Sequence, residues 1–311
     1  MTGRFPSYRD ASERSTLQAK ATQAKAALAC CTLCPRRCRV NRAEGETGYC
    51  RTGARAMVAS YNAHFGEEAP LVGSHGSGTI FFTHCNLLCN FCQNYEISHG
   101  GEGWEVTERQ LADIMLALQS AGCHNINFVT PTHVIPQILG ALVLAAEDGL
   151  KIPLVYNSGG YDQAASLRLL EGIVDIYMPD FKFWDSAVAA QTCDAPDYPE
   201  IAREALLEMH RQVGDLIIDE NGLARRGLLV RHLVLPQNLA GTRMIMRFIA
   251  TQISRNTYVN VMPQYRPCGR AHEIPALSVP PTAREFEQAL RETEEEGITR
   301  LDQRRRVFVI W

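Results

Sequence analysis

From residue 79 onward, six short apolar runs alternate with helical patterns, and this alternation constrains the fold more than any other feature of the chain. The runs are 79–83 (TIFFT), 125–129 (NINFV), 153–156 (PLVY), 174–178 (VDIYM), 228–234 (LLVRHLV) and 257–261 (TYVNV). Helical patterns separate them near 107–121, 133–148, 162–170, 197–214 and 241–253, the first opening with a capping box at Thr107-Glu-Arg-Gln. Continuously apolar strands suit a sheet covered on both faces. Strands joined by helices argue for parallel units wound right-handedly. A helix at 282–296 and a short strand, Arg306-Val-Phe-Val-Ile, close the chain. Six units are too few for a closed eight-stranded barrel, so the expected fold is α/β, an open partial (β/α)6 barrel.

Ahead of the barrel, residues 13–29 are rich in Ala, Gln and Lys and favour a helix. A Cys- and Arg-rich segment, 30–51, follows. We divide the chain into a helical, Cys-rich, metal-binding extension, 1–60, and a barrel with a C-terminal extension, 61–311.

Composition narrows the setting. The 311 residues are 46% hydrophobic and 21% charged, enough for a substantial core. A net charge of −3 gives no bulk attraction to nucleic acid or anionic membrane. Met1 to Asp10 lacks the apolar core of a signal peptide, and the longest apolar stretch, near Ile138 to Ala146, is too short to span a bilayer. Eleven cysteines without an export signal point to metal ligation in the cytoplasm rather than to disulfides.

Three of those cysteines, Cys85, Cys89 and Cys92, form C-x3-C-x2-C just past the first apolar run. Structural zinc takes a closed set of four ligands. Three thiolates instead leave one iron of a [4Fe–4S] cubane open for an exogenous ligand. Barrel chemistry gathers at the C-terminal ends of strands. There this chain places Thr130-Pro-Thr-His, Asn157-Ser-Gly-Gly-Tyr-Asp, Pro179-Asp-Phe-Lys, Arg231-His-Leu-Val and Met262-Pro-Gln-Tyr-Arg-Pro-Cys.

The cysteine spacing, with the aromatic Phe91 before the third Cys, resembles the radical S-adenosylmethionine (SAM) enzymes, whose core is a partial barrel. In that family SAM chelates the open iron, and the reduced cluster cleaves it to methionine and a 5′-deoxyadenosyl radical. The subgroup resembled is the pyruvate formate-lyase activating enzymes and their homologues, over roughly residues 79 to 268. The resemblance implies that Asn94 contacts SAM. It matches Asp180 and Lys182 to an Asp-x-Lys, Val230-Arg231-His-Leu-Val to a Val-Arg-x-x-Val, and Met262-Pro-Gln-Tyr265 to a Leu-Pro-x-His. On this reading Lys182 and Arg231 face the SAM carboxylate, Phe91 and Leu233 the adenine, and Asn157 and Ser158 the ribose. An electron donor such as flavodoxin or ferredoxin is implied, with a partner protein as one form of substrate.

Two departures stand out. Where the family has Gly-Gly-Glu, this chain has Val129-Thr130-Pro131-Thr132, leaving Thr130 or Thr132 for the SAM amino group. Tyr156 stands where activating enzymes carry an Asp near a monovalent cation. Glycyl-radical activation therefore remains one option beside modification of another peptide, an RNA or a small molecule. A reading of a different class is a non-catalytic metal scaffold or electron-transfer protein.

A second set, Cys31, Cys34, Cys38 and Cys50, has the spacing C-x2-C-x3-C-x11-C, with Cys30 adjacent. Four thiolates suit a closed site, and zinc and a second Fe–S cluster are both admissible, with zinc preferred. Cys268, past the sixth strand, is a candidate hydrogen-atom donor, with a free buried thiol as the competing reading. His64 with Glu67 and Glu68 reads as a hydrogen-bonded surface group, and Cys123 and Cys193 read as inert.

Overall fold

The computed structural model describes residues 5–13 and 15–302. The strands are β1 (Ala56–His64), β2 (Ser77–Phe82), β3 (Trp104–Val106), β4 (Ile126–Val129), β5 (Leu154–Ser158), β6 (Ile176–Pro179), β7 (Ile217–Ile218), β8 (Ala224–Leu233) and β9 (Tyr258–Met262). All six expected runs are strands, and they are parallel neighbours in the order β2, β4, β5, β6, β8, β9. The expected final strand at Arg306 lies outside the described residues.

The helices follow from local chemistry. Thr107 accepts the Gln110 N–H at 3.2 Å while the Gln110 side chain accepts the Thr107 N–H at 2.9 Å, starting the helix Glu108–Ser120. Thr282 and Glu285 repeat the device ahead of Ala283–Glu295. The expected helix at 13–29 is instead Ser7–Glu13, then Thr16–Ala26, then a 3-10 turn to Cys30. The helix Thr242–Phe248 ends in a π turn, Ile249–Ile253.

Sequence reading missed the antiparallel flank. β1 pairs antiparallel with β2 and also with β3. The boundary drawn at residue 60 therefore falls inside a strand, and the extension is joined to the parallel sheet by backbone hydrogen bonds. Alternation fails as a signal here, because Tyr61 and Trp104 are exposed on this flank.

Side chains alternate between two faces of the parallel strands. Ile80, Phe82, Phe128, Tyr156 and Tyr177 pack outward against helix residues such as Leu111, Met115 and Leu139. Val155, Ile176, Met178, Leu229 and Tyr258 form a separate inner cluster, which Leu71 from the β1–β2 connection completes. On that inner face Glu68, fully buried, accepts the Asn260 amide at 2.7 Å. The connection thus fills space beside β9, which is not paired with β2 among the described residues.

His232 illustrates how tightly the outer face is determined. Fully buried on β8, it faces the Phe181 carbonyl through Nδ1 at 2.9 Å and the Thr242 hydroxyl through Nε2 at 2.9 Å;. A carbonyl only accepts, so Nδ1 carries the proton and the ring is neutral. Burial pushes its pKa down to about 4. The folded value lies below the unfolded one, so this contribution is present above pH 6.5 and is lost as pH falls toward 4. The expected loss is at most about 1.4 kcal/mol per pH unit. Urea midpoints measured across that window should fall in wild type and flatten in His232→Gln; equal slopes would refute the assignment.

Candidate cofactor site at the C-terminal rim

β2 ends at Phe82, and the loop that follows carries Cys85, Cys89 and Cys92. His84 and Leu88 adopt left-handed backbone, at φ 69° and 55°. Such conformations persist only where the surroundings over-determine them. Here they do. The loop's backbone bonds Met57, Ile97 and Thr192, and His133 donates to the Thr83 carbonyl at 2.9 Å. The Asn86 amide reaches the Tyr161 carbonyl at 2.7 Å, and the Asn90 carbonyl accepts the Arg270 N–H at 2.6 Å. Gly269, at φ 53°, lets the chain lie against Tyr95 and the Asn90 carbonyl, where any Cβ would collide. Cys268 is part-exposed at the start of this strip.

Burial, with Cys89 adding, pushes the Cys85 thiol up to about 12, although the Leu87 and Leu88 N–H groups oppose it. Cys92 is raised by burial and by Cys89, against the Ser98 hydroxyl and the Asn94 N–H. Cys89 is raised first by its hydrogen bond with Cys193 and then by burial, with Lys182 acting the other way. Cys193, expected to be inert, thus touches the motif. Adjacent dehydrated thiols with N–H donors aimed at sulfur are suited to deprotonation by a cationic centre.

Asp180, Lys182 and Arg231 meet at the same rim, at the ends of β6 and β8. Lys182 Nζ lies 2.5 Å from Asp180 Oδ2, and Arg231 Nε lies 2.8 Å from Oδ1. Arg231 also donates to Asn157 Oδ1 at 2.7 Å. Burial alone would raise the Asp180 carboxyl, but Arg231 and Lys182 together hold it below the usual carboxylate range. The two cations expected to face a ligand carboxylate therefore already share one. Glu67 and Glu68, discounted in the sequence as metal-capable neighbours of His64, are buried and also act on Arg231.

The hydroxyls behave differently from expectation. Thr132, Tyr156 and Ser158 all donate to buried Asp162, at 2.7, 2.8 and 2.6 Å. Thr132 and Ser158 are thus committed inside the protein rather than facing an amino group or a ribose, because a buried carboxylate needs donors. Thr130 stays at the rim with φ 60°, its N–H on the Asn157 carbonyl. Phe91 is 4% exposed and packs edge-on against Phe183 and Tyr265. Tyr265 is buried and donates to the Leu277 carbonyl at 2.6 Å, so it offers its ring and not its hydroxyl. Asn94 is exposed ahead of the helix Tyr95–Ser98, and Leu233 is half-buried.

The second thiol set lies at the other end of the loop's supports. Cys31, Cys34, Cys38 and Cys50 line one small cavity with Arg42 and His133, while Cys30 is exposed and takes no part. Among the described residues no three His, Cys, Asp or Glu side chains form a ready-made metal-binding group, and both thiol sets are recognised by spacing and surroundings. Nor is any helix among those residues long and apolar enough to cross a membrane.

A six-stranded parallel sheet with thiols and paired charges at its C-terminal rim defines an α/β protein with one built site. No family model matches the chain. It is 35% identical over 274 residues to uncharacterized protein MJ0674 of Methanocaldococcus jannaschii, covering 85% of this chain and 74% of that one. The chain belongs to the family of that archaeal protein. Among solved structures, a radical SAM methyltransferase from Sphaerobacter thermophilus is similar at 14% identity and a TM-score of 0.49. That match covers 71% of this chain and 64% of the other, a likeness too slight to carry an assignment.

Proposed function

We propose that the chain is a radical SAM enzyme whose Cys85, Cys89 and Cys92 hold a [4Fe–4S] cluster. The group would supply reductive cleavage of SAM at the open iron, leading to hydrogen abstraction from a substrate. The observation that carries this reading is the placement of three thiols in an over-determined loop beside the Asp180–Lys182–Arg231 triad. Two cations meet on one carboxylate, with Glu67 and Glu68 also acting on Arg231, and this charged cluster stands beside the thiol loop where an amino-acid carboxylate would be held. Asp180 and Asn157 fix the plane of the Arg231 guanidinium. The Phe91 and Tyr265 rings back the loop with apolar surface. Partial burial of all three side chains strengthens their mutual attraction.

The finer reading is activation of a partner polypeptide by abstraction from a glycine Cα, with electrons from a flavodoxin or ferredoxin. Asp180, Lys182 and Arg231 support it. The Thr130-Pro-Thr segment and Tyr156 set the chain apart from the activating enzymes. The test is anaerobic reconstitution followed by reduction with SAM present. About four irons per chain and formation of 5′-deoxyadenosine are expected. Iron-loaded protein that forms none would leave only a scaffold or electron-transfer role. A glycyl radical signal on a co-incubated partner would establish the finer reading, and its absence with active enzyme would redirect the search to other substrates.

A further inference from the structure

We propose that Cys31, Cys34, Cys38 and Cys50 bind a single tetrahedral zinc ion, and that this ion holds Arg36 where it braces the loop of Cys85, Cys89 and Cys92. The zinc assignment is separate from the enzymatic reading, the bracing role rests on it, and both stand on the lining and wiring of the N-terminal cavity. The four thiols surround a space of about 10 Å³. Four cysteines gathered on one small cavity suit a closed four-thiolate site.

The surroundings are arranged for sulfur that carries negative charge. The Tyr49 N–H points at Cys38 Sγ at 3.3 Å, and buried Arg42 reaches Cys31 Sγ at 3.7 Å. Donors of this kind orient ligands and stabilise thiolates around a metal. Gly48 lies so close to Cys38 that a Cβ would sit 2.7 Å from its sulfur, so the backbone is shaped around the thiol. Four soft donors in a closed set suit zinc, which takes four ligands and imposes no redox chemistry.

Arg36 lies between two of the proposed ligands and points out of the site. Its guanidinium donates to the carbonyls of Asn86 at 3.0 Å, Leu87 at 3.3 Å and Cys193 at 2.8 Å, and also to Asp194. The same group stacks over the Tyr49 ring, 3.8 Å from its centroid. One side chain of the extension thus ties the three-thiol loop to the end of the helix Ser186–Cys193. Arg36 is a positioning residue: it touches none of the three thiols but fixes the backbone from which they project.

The deciding experiment is metal analysis and zinc X-ray absorption on anaerobically purified full-length protein. About one zinc per chain with four sulfur neighbours near 2.3 Å is expected. Cys34→Ser and Cys50→Ser should lose that zinc. Arg36→Met should retain it while loading less iron on reconstitution and melting at a lower temperature. Protein without zinc, or with about eight irons per chain after reconstitution, would overturn the single-ion assignment. Wild-type iron loading and melting in Arg36→Met would overturn the bracing role. Because the zinc signal requires no SAM cleavage, its outcome is independent of whether the three-thiol loop proves catalytic.

Discussion

Cys85→Ala, Cys89→Ala and Cys92→Ala are each expected to abolish SAM cleavage and to leave the reconstituted protein short of about four irons, the content of one cubane. The loop has no slack with which to recruit a substitute. Its backbone is tied to Met57, Ile97, Thr192 and Arg270, and two of its residues already occupy left-handed conformations. Cys193 is the nearest alternative thiol, yet it sits in the last turn of a separate helix with Thr192 Oγ1 at 3.4 Å. Cys123, buried on the far side of β2 beside Gly78, is the control; Cys123→Ser should keep its full iron. Iron content and 5′-deoxyadenosine yield decide the matter. Full cleavage in any one of the three alanine variants would end the cluster assignment.

The second large effect is expected at Asp180. Its carboxylate is the shared partner of Lys182 and Arg231, whose side chains are 17% and 19% exposed. Asp180→Ala leaves two largely buried cations facing each other. Breaking a buried pair by removing one partner costs about 3–5 kcal/mol. The urea midpoint should fall accordingly at neutral pH. The sign of the pH dependence follows from the lowered carboxyl. A folded value below the unfolded one gives stability that is present above the ordinary carboxylate range and lost as pH falls through the folded value. The gap between wild type and Asp180→Asn should therefore close in acid. Arg231→Ala tests the same group from the other side. It should weaken SAM binding about tenfold, equivalent to 1.4 kcal/mol, with Arg231→Lys recovering part. A midpoint in Asp180→Ala equal to wild type would show that the triad contributes nothing to the fold.

The parallel strands were legible because their signal is local. Runs such as 125–129 and 228–234 are β-rich, apolar on both faces and bounded by helices, so period and composition agree. β1 was illegible because its middle residues, Ser60 to Asn62, are exposed and its pairing partner lies beyond a loop. The structure gathers Cys31, Cys34, Cys38 and Cys50 on one cavity and carries Cys85, Cys89 and Cys92 on one loop, while metal binding by either set is left to the iron and zinc measurements. The triad was only half legible. Asp180, Lys182 and Arg231 were singled out individually, but nothing in the sequence says that Asp180 bridges the other two. Thr132 and Ser158 were misplaced for a related reason: a hydroxyl near a strand end carries no mark of the carboxylate it serves. Glu67 and Glu68 were discounted because burial of an irregular connection leaves no periodic trace.

The strip around Gly269 has a consequence for the order of events during synthesis. Arg270 and Gln264 close on Asn90 and Gln93 from more than 170 residues downstream, as Gln93 bonds the Gln264 carbonyl at a separation of 171 positions. Contacts of such long range form late. A ribosome that has just released Cys92 has made every thiol of the loop but not the chain that locks it. Metal delivered at that moment would meet an open, hydrated loop. Delivery after release would meet a finished cradle, so on the proposed reading cluster loading would follow translation.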